Sequence, residues 1–509
     1  MRTVTADDRA REFRLELQRD FNGFEDVQAE RLYWGQEHQL VDVVKDVKQH
    51  IGQSDLLQEG ANDDGNHSRT AGPVLATSTD RSTYALAHKK HIGIYDASSQ
   101  KLRKGLIVPT EVLKLVFSPG GDAILAILGA QSWPGRNRIA VFPLDGGAEA
   151  AFDHRVYDDG LTQVQQMVQG VFQSMSWSQE EIQMHAGSTL REGLHSTIFA
   201  AVQRQALARA TSAVLEGHSM AFFGDMSEAW DSDTDRLLLV RSSGRRGQFG
   251  GRITEVFIGD LTGQDPPRLL PGHQDAVMTA AFTPDRRFVF TSCWDSRVRL
   301  YDASTAELLG ESEGGAGNQS WTAACSPDSR WLAVGNGDGF VRVWDLSERT
   351  LKDPSLILPG SEEGDDAYKR RGHWVRAIQW ESRPGGDLRL WYGNDQGIRV
   401  YSFDAQTPSR SSLEDAWLYA NADRLRNCEV SHLESVEGGG EGIARLAIPL
   451  WNGHTSVYDF EHRQKWTIEQ SVDPEQRKAS GGSAAWILQG RQLALIRCDR
   501  DGQARIWQL

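Results

Sequence analysis

Gly272-His273-Gln274-Asp275-Ala276-Val277 opens the stretch that decides the fold. It continues through Ala281-Phe282-Thr283-Pro284-Asp285 and Phe288-Val289-Phe290-Thr291-Ser292-Cys293-Trp294-Asp295 to Val298-Arg299-Leu300-Tyr301-Asp302. The apolar runs are short, alternate with period two and carry β-branched and aromatic residues, which suits pleated strands. Pro284-Asp285 and Asp295 stand between the runs, where a chain reversal needs a fixed φ or a side chain that bonds its own backbone. The stretch therefore reads as strand, turn, strand, turn, strand.

The next segment repeats it. Cys325-Ser326-Pro327-Asp328, Trp331-Leu332-Ala333-Val334-Gly335, Asp338 and Val341-Arg342-Val343-Trp344-Asp345 follow the same order. Working outward, eight runs end on an aromatic–Asp pair or a stand-in: Tyr95-Asp96, Phe142-Pro143, Gly259-Asp260, Tyr301-Asp302, Trp344-Asp345, Tyr401-Ser402, Tyr458-Asp459 and Trp507-Gln508. The intervals are 47, 117, 42, 43, 57, 57 and 49 residues. Most lie near the ~40–45 residues of a four-stranded propeller blade, and the long one is a blade plus an insertion. An Asp also lies six positions before the closing aromatic in Asp295/Tyr301, Asp338/Trp344, Asp395/Tyr401 and Asp501/Trp507, with Asn452/Tyr458 as a variant.

These units resemble the WD40 repeat family over roughly residues 74–150 and 218–509, most closely in the two central units. The resemblance implies an all-β propeller, with eight blades from the count and seven as the alternative. It also implies a buried network joining the turn Asp, a His, a Ser or Thr and the Trp. Here His273, Thr291 or Ser292, Asp295 and Tyr301 are the expected members, with Asp338 and Trp344 in the next unit and His373 with Asp395 in another. The last unit stops at its third strand, Ala504 to Leu509. The β-type run Gln39–Val47 is expected to supply its outer strand, which would remove an exposed sheet edge.

Other segments fall outside the repeat. Residues 1–38 are expected as a helical extension to a propeller over 39–509, because Phe13, Leu17, Phe21 and Phe24 recur at helical spacing. Residues 52–72 are polar and read as a linker. Residues 158–216 carry two helical patterns, Leu161 to Val171 and Leu190 to Ala206, and read as a helical insertion. Glu434 to Gly442 reads as a Gly/Glu loop.

Composition narrows the function. The net charge of −15 argues against a chain whose main work is coating nucleic acid or an anionic membrane. No run of about 18 apolar residues suggests a membrane span, and the acidic start Met1 to Asp8 does not resemble a secretory signal. Cys293, Cys325, Cys428 and Cys498 are scattered, so neither a disulfide framework nor a metal cluster is expected, and the setting reads as intracellular, cytoplasmic or nuclear. The sequence contains no GxSxG, HExxH or GxxxxGK[ST] pattern and no kinase set. No catalytic residues and no cofactor are expected.

The family resemblance instead implies a binding face, made by the residue before each turn Asp and by positions at the head of each inner strand. Carried over residue by residue, these are Trp294, Trp451 and Arg500, then Met278, Trp321, Trp374 and Arg376. Tryptophan and arginine are the residues most enriched at interface hot spots, because they bury large area and keep a polar handle. The expectation is a non-catalytic scaffold that binds a peptide or protein domain there. The alternative is a phosphoinositide- or nucleic-acid-binding propeller using Lys369, Arg370 and Arg371. A second basic cluster, Arg241 with Arg245-Arg246, stands in the third unit, beside the hairpin loop Gly247 to Gly251.

Overall fold

The computed structural model describes residues 25–26, 32–33, 39–51, 74–108, 110–129, 137–145, 211, 213–221, 226–231, 233–262, 264–313, 319–359, 374–383, 385–394, 397–418, 434–437, 443–449, 455–462, 464–469, 484–498 and 503–508. These residues form eight antiparallel sheets of four principal strands each. In blades 1 to 6 the strands are Val74–Thr77, Thr83–His88, His91–Asp96 and Leu102–Ile107; Val112–Phe117, Ala123–Leu128, Arg138–Pro143 and Ala213–Glu216; Trp230–Asp231, Arg236–Arg246, Arg252–Asp260 and Arg268–Leu270; Val277–Phe282, Phe288–Cys293, Arg297–Asp302 and Leu308–Glu313; Ser320–Cys325, Trp331–Asn336, Val341–Asp345 and Leu356–Leu358; and Ala377–Ser382, Leu388–Gly393, Gly397–Phe403 and Ser412–Leu418. Blade 7 is Glu434–Glu437, Ile443–Pro449, Thr455–Asp459 and Gln464–Glu469. Blade 8 is Ala484–Gln489, Gln492–Cys498 and Gln503–Gln508, with Gln39–Asp42 as its outer strand.

The core lies between blades rather than in one centre. Apolar clusters join every adjacent pair, blade 8 to blade 1 included. Second strands are therefore covered on both faces. Phe288–Cys293 and Trp331–Asn336 are buried at every residue, which is why they read as continuous rather than alternating apolar runs.

Two turns recur and explain the sequence punctuation. Between first and second strands, Ser78, Ser118, Thr283 and Ser326 place a hydroxyl across the turn. In blade 4 the Thr283 hydroxyl donates to Asp285 at 2.6 Å and accepts from the Phe288 amide at 3.1 Å. Ser118 makes the same pair of contacts with Asp122 (2.6 Å) and the Ala123 amide (3.0 Å). After the third strand, the Asp of the aromatic–Asp pair accepts from the following loop. The Asp302 carboxylate takes the Ser304 and Thr305 amides at 2.8 and 2.9 Å, and Asp96 takes the Ser99 amide at 2.7 Å. Bonds to the charged form favour it, so the Asp96 and Asp260 carboxyls are held down to about 2 by their Ser and Thr neighbours.

Ring closure joins the two distant strands of blade 8. Gln39–Asp42 pairs antiparallel with Gln503–Ile506. The expected strand over 39–47 is cut short: a helix runs from Val43 to Ile51. Asp42 caps it, accepting the Lys45 amide at 3.1 Å. Val43 and Val47 then lie one helical turn apart and are fully buried against Tyr84, Leu86 and Tyr95 of blade 1 and Ile487 and Ile496 of blade 8. Helical spacing explains the change, because a strand would send Val44 and Val47 to opposite faces.

Three further expectations are corrected. Within the extension expected to be helical, Glu25–Asp26 and Leu32–Tyr33 are extended and pair in parallel with the outer strand of blade 7. The end of the 158–216 segment, Ala213–Glu216, is the outer strand of blade 2, so the insertion separates the third and fourth strands of one sheet. Glu434–Glu437 is the inner strand of blade 7 rather than loop, pairing with Ile443–Ala447. The remainder of 1–38, the linker 52–72 and residues 158–210 lie outside the described residues.

Candidate protein-binding face

At one end of the ring the inner strands of blades 4 and 5 begin with a β-bulge. Register slips between Val277 and Thr279 and between Ser320 and Thr322, leaving Met278 and Trp321 as the extra residues. A bulge bends the strand and re-aims a side chain. In blade 6 the Arg376 amide bonds the Gly393 carbonyl at 3.2 Å, so Arg376 enters its strand at the corresponding place. Trp294 follows the second strand of blade 4, and its amide bonds the Ala276 carbonyl at 2.8 Å. Trp374 lies just ahead of the first strand of blade 6.

These positions converge. The rings of Trp294 and Trp321 have centroids 5.0 Å apart and tilted by 58°, and those of Trp321 and Trp374 stack at 4.4 Å and 20°. The Arg376 guanidinium sits over both Trp321 (4.9 Å) and Trp374 (5.0 Å). Cation–π contacts of this kind contribute about 0.5–2 kcal/mol, more when desolvated. The result is a row of three indoles spanning three blades, topped by a cation. Its members differ in access. Trp321 and Met278 are each only 6% exposed, whereas Trp294, Trp374 and Arg376 are half-buried and reach the surface.

The expected tetrad is assembled only in part. His273 Nε2 lies 2.9 Å from the Thr291 hydroxyl and 3.4 Å from the Tyr301 hydroxyl, which donates to the Pro271 carbonyl at 2.7 Å. Asp295 turns elsewhere. It accepts the Gln274 and Arg297 amides at 2.9 and 3.0 Å and pairs with Arg299 at 2.9 Å. The Ser292 hydroxyl is buried with no hydrogen-bond partner among the described residues, so Thr291 is the member of that pair that bonds. In blade 5, Asp338 pairs with Arg342 at 2.7 Å and the Trp344 indole donates to the Lys352 carbonyl at 2.9 Å. Arg299 and Arg342 carry a signal of their own: Asp-x-x-x-Arg recurs at Asp295, Asp338, Asp395 and Asp501. His373 and Asp395 lie outside the described residues.

Burial, and then the nearby Arg299, push the His273 imidazole down to about 3. The folded protein thus keeps this ring neutral while the unfolded chain protonates it below about pH 6.5, so the stabilisation is complete above that pH and is lost as pH falls toward 3. Between pH 7 and pH 5 the chain is expected to lose about 1–2 kcal/mol through this group. His273→Gln flattens that part of a urea-unfolding series against pH; an unchanged slope would place the proton uptake elsewhere.

The WD domain, G-beta repeat family matches residues 264–302 and 315–345, the two blades that carry this network. The chain is a WD40-repeat β-propeller. No curated protein matches in sequence. Among solved structures, Sqt1 of Saccharomyces cerevisiae superposes with a TM-score of 0.52 at 9% identity, over 86% of this chain and 96% of that one. Sqt1 of Chaetomium thermophilum, bound to the N-terminus of the ribosomal protein L10, gives 0.52 at 14% identity, over 86% and 97%. At these identities the likeness concerns the fold.

Of the other residues expected at the binding face of this WD40 propeller, Trp451 and Arg500 lie outside the described residues. So do Lys369, Arg370 and Arg371 of the anion-binding alternative. Among the described residues no helix is long and apolar enough to cross a membrane, and no three His, Cys, Asp or Glu side chains gather as metal ligands. Cys293, Cys325 and Cys498 are buried, and burial raises the Cys293 thiol to about 12, the opposite of what a nucleophile requires.

Proposed function

We propose that this propeller is a non-catalytic interaction scaffold of an intracellular complex, and that it binds a peptide or protein domain at the end of the ring that carries Trp294, Trp374 and Arg376. The observation that carries this is the indole row. Trp321 of blade 5 is spent on packing, yet it touches Trp294 of blade 4 and Trp374 and Arg376 of blade 6 and holds them at the surface. Pre-organised aromatic and arginine side chains bind with little loss of rotamer freedom, which is the condition for a hot spot. The Sqt1 complex illustrates a propeller of this fold holding a protein N-terminus.

The test compares captured partners of the wild type with those of Trp294→Ala/Trp374→Ala and of Arg376→Ala, each checked for unchanged urea unfolding. Trp321 stays in place because it supports the row. Losing two hot-spot side chains is expected to weaken the partner at least tenfold. Partners retained in full by both variants would move the site away from this end of the ring.

A further inference from the structure

The second and third strands of blade 3 are long, and they carry the hairpin Gly247 to Gly251 onto the end of the ring that holds the indole row. Asp275, at the entry to blade 4 and wholly buried, clamps it there. One carboxylate oxygen accepts the Phe249 amide at 2.8 Å, the other the Ala276 amide at 2.8 Å. The hairpin also lies directly against Trp294. A Cβ on Gly251 would come within 2.3 Å of the Asp275 carboxylate and 2.8 Å of the Trp294 ring, so only glycine permits the contact. The hairpin is a fixed wall beside the row.

That wall is basic. Arg246 and Arg252 are cross-strand partners, and both are exposed, as is Arg245. Like charges directly opposite each other on a sheet are destabilising. Arg246 bonds only the Gly250 carbonyl, at 2.9 Å, and neither Arg245 nor Arg246 forms an ion pair among the described residues. The carboxylates of this part of blades 3 and 4 are committed: Glu255 to Arg241, Asp275 to the amides and Asp295 to Arg299. On a chain of net charge −15, Arg245 and Arg246 put uncompensated positive charge at this end of blade 3, on the hairpin that meets Trp294.

Resting on the reading above, we infer that the hairpin arginines and the indole row form one composite surface, and that its occupant is an acidic peptide segment with an apolar anchor. Carboxylates meet Arg245 and Arg246. The anchor lies along the exposed edges of Trp294 and Trp374. A nucleic acid fits less well, because the indoles stack on one another and Arg376 covers the faces of Trp321 and Trp374, leaving no open face between them for a base.

The experiment is fluorescence anisotropy on the full chain with three short labelled peptides that share one central Phe, set in Glu/Asp, Lys/Arg or Ser/Gly, and with a single-stranded oligonucleotide. At about 50 mM salt the acidic peptide is expected to bind at least tenfold more tightly than the neutral one and to weaken as salt screens it. Arg245→Glu/Arg246→Glu is expected to abolish that preference, while Trp294→Ala weakens acidic and neutral peptides alike. Equal binding of acidic and neutral peptides, tighter binding of the basic peptide or the oligonucleotide, or binding of none overturns the inference. If the double Arg variant still captures the cellular partner and Trp294→Ala/Trp374→Ala does not, the acidic occupant is refuted while the indole face stands. If neither variant matters, both readings fall.

Discussion

A chain starting at residue 52 loses a large share of its folding free energy and associates through blade 8. Three features of the structure set that expectation. Gln39–Asp42 supplies the outer strand of blade 8, and without it Gln503–Gln508 becomes an open edge able to pair with another chain. Val41, Val43 and Val47 leave a core in which all three are buried. Burying a valine side chain contributes at least about 1.5 kcal/mol, so the three together supply on the order of 5 kcal/mol of a total near 5–15 kcal/mol. Tyr95 also loses Asp46, which accepts its hydroxyl at 3.1 Å in a half-covered setting where burial raises the Asp46 carboxyl. The urea midpoint should fall sharply and light scattering should report oligomers. A synthetic peptide covering residues 36–51 should restore both when added in excess. A monodisperse truncation with an unchanged midpoint would show that the closing strand is dispensable.

Trp344→Ala costs about 3–5 kcal/mol, the range for removing a large aromatic from a core that relaxes only partly. Trp344 is 1% exposed and packs against Phe290, Leu300 and Leu332 between blades 4 and 5. Its loss also strips the Lys352 carbonyl of an indole donor at 2.9 Å. Trp294→Ala, by contrast, removes a half-buried ring at the end of the row and should cost about 1–2 kcal/mol of stability. The two substitutions are therefore expected to separate: Trp344→Ala lowers the urea midpoint far more, Trp294→Ala weakens binding far more. The opposite ranking in a urea series would mean that the indole row belongs to the core and that its binding role is wrong.

The repeat was readable because each aromatic–Asp pair does one physical job. It ends a third strand and turns the chain, and all eight pairs fall at or beside such an end. Trp230–Asp231 left no comparable trace. This inner strand of blade 3 is two residues long and follows a single 3-10 turn, Met226–Ala229, so it has no periodicity to read. Glu434–Glu437 is mostly polar and followed by three glycines, and it becomes strand only because Ile443–Pro449 pairs with it. In Val43–Ile51, Val43 and Val47 fit both periods, and only Val44 and the cap at Asp42 mark the helix. At the end of the ring that carries the indole row, the positions of Trp294 and Trp374 follow from the repeat register, but their contact through Trp321 does not, since it depends on two bulges that no spacing reveals. Arg245 and Arg246 stood out as a cluster, and only the clamp at Asp275 brings them beside Trp294.

Pairing residues 39–42 with 503–506 also sets a clock for synthesis. At the ~5–20 residues per second of a ribosome, the first of these strands is finished tens of seconds before its partner exists. During that wait Val41, Val43 and Val47 have nothing of their own blade to bury against, and every completed blade waits on an unfinished circle. Loop closure over almost the whole chain makes this last step entropically the most demanding. The nascent protein therefore passes through a late open state with two sticky ends, where an attending chaperone would have most to gain by holding the N-terminal strand.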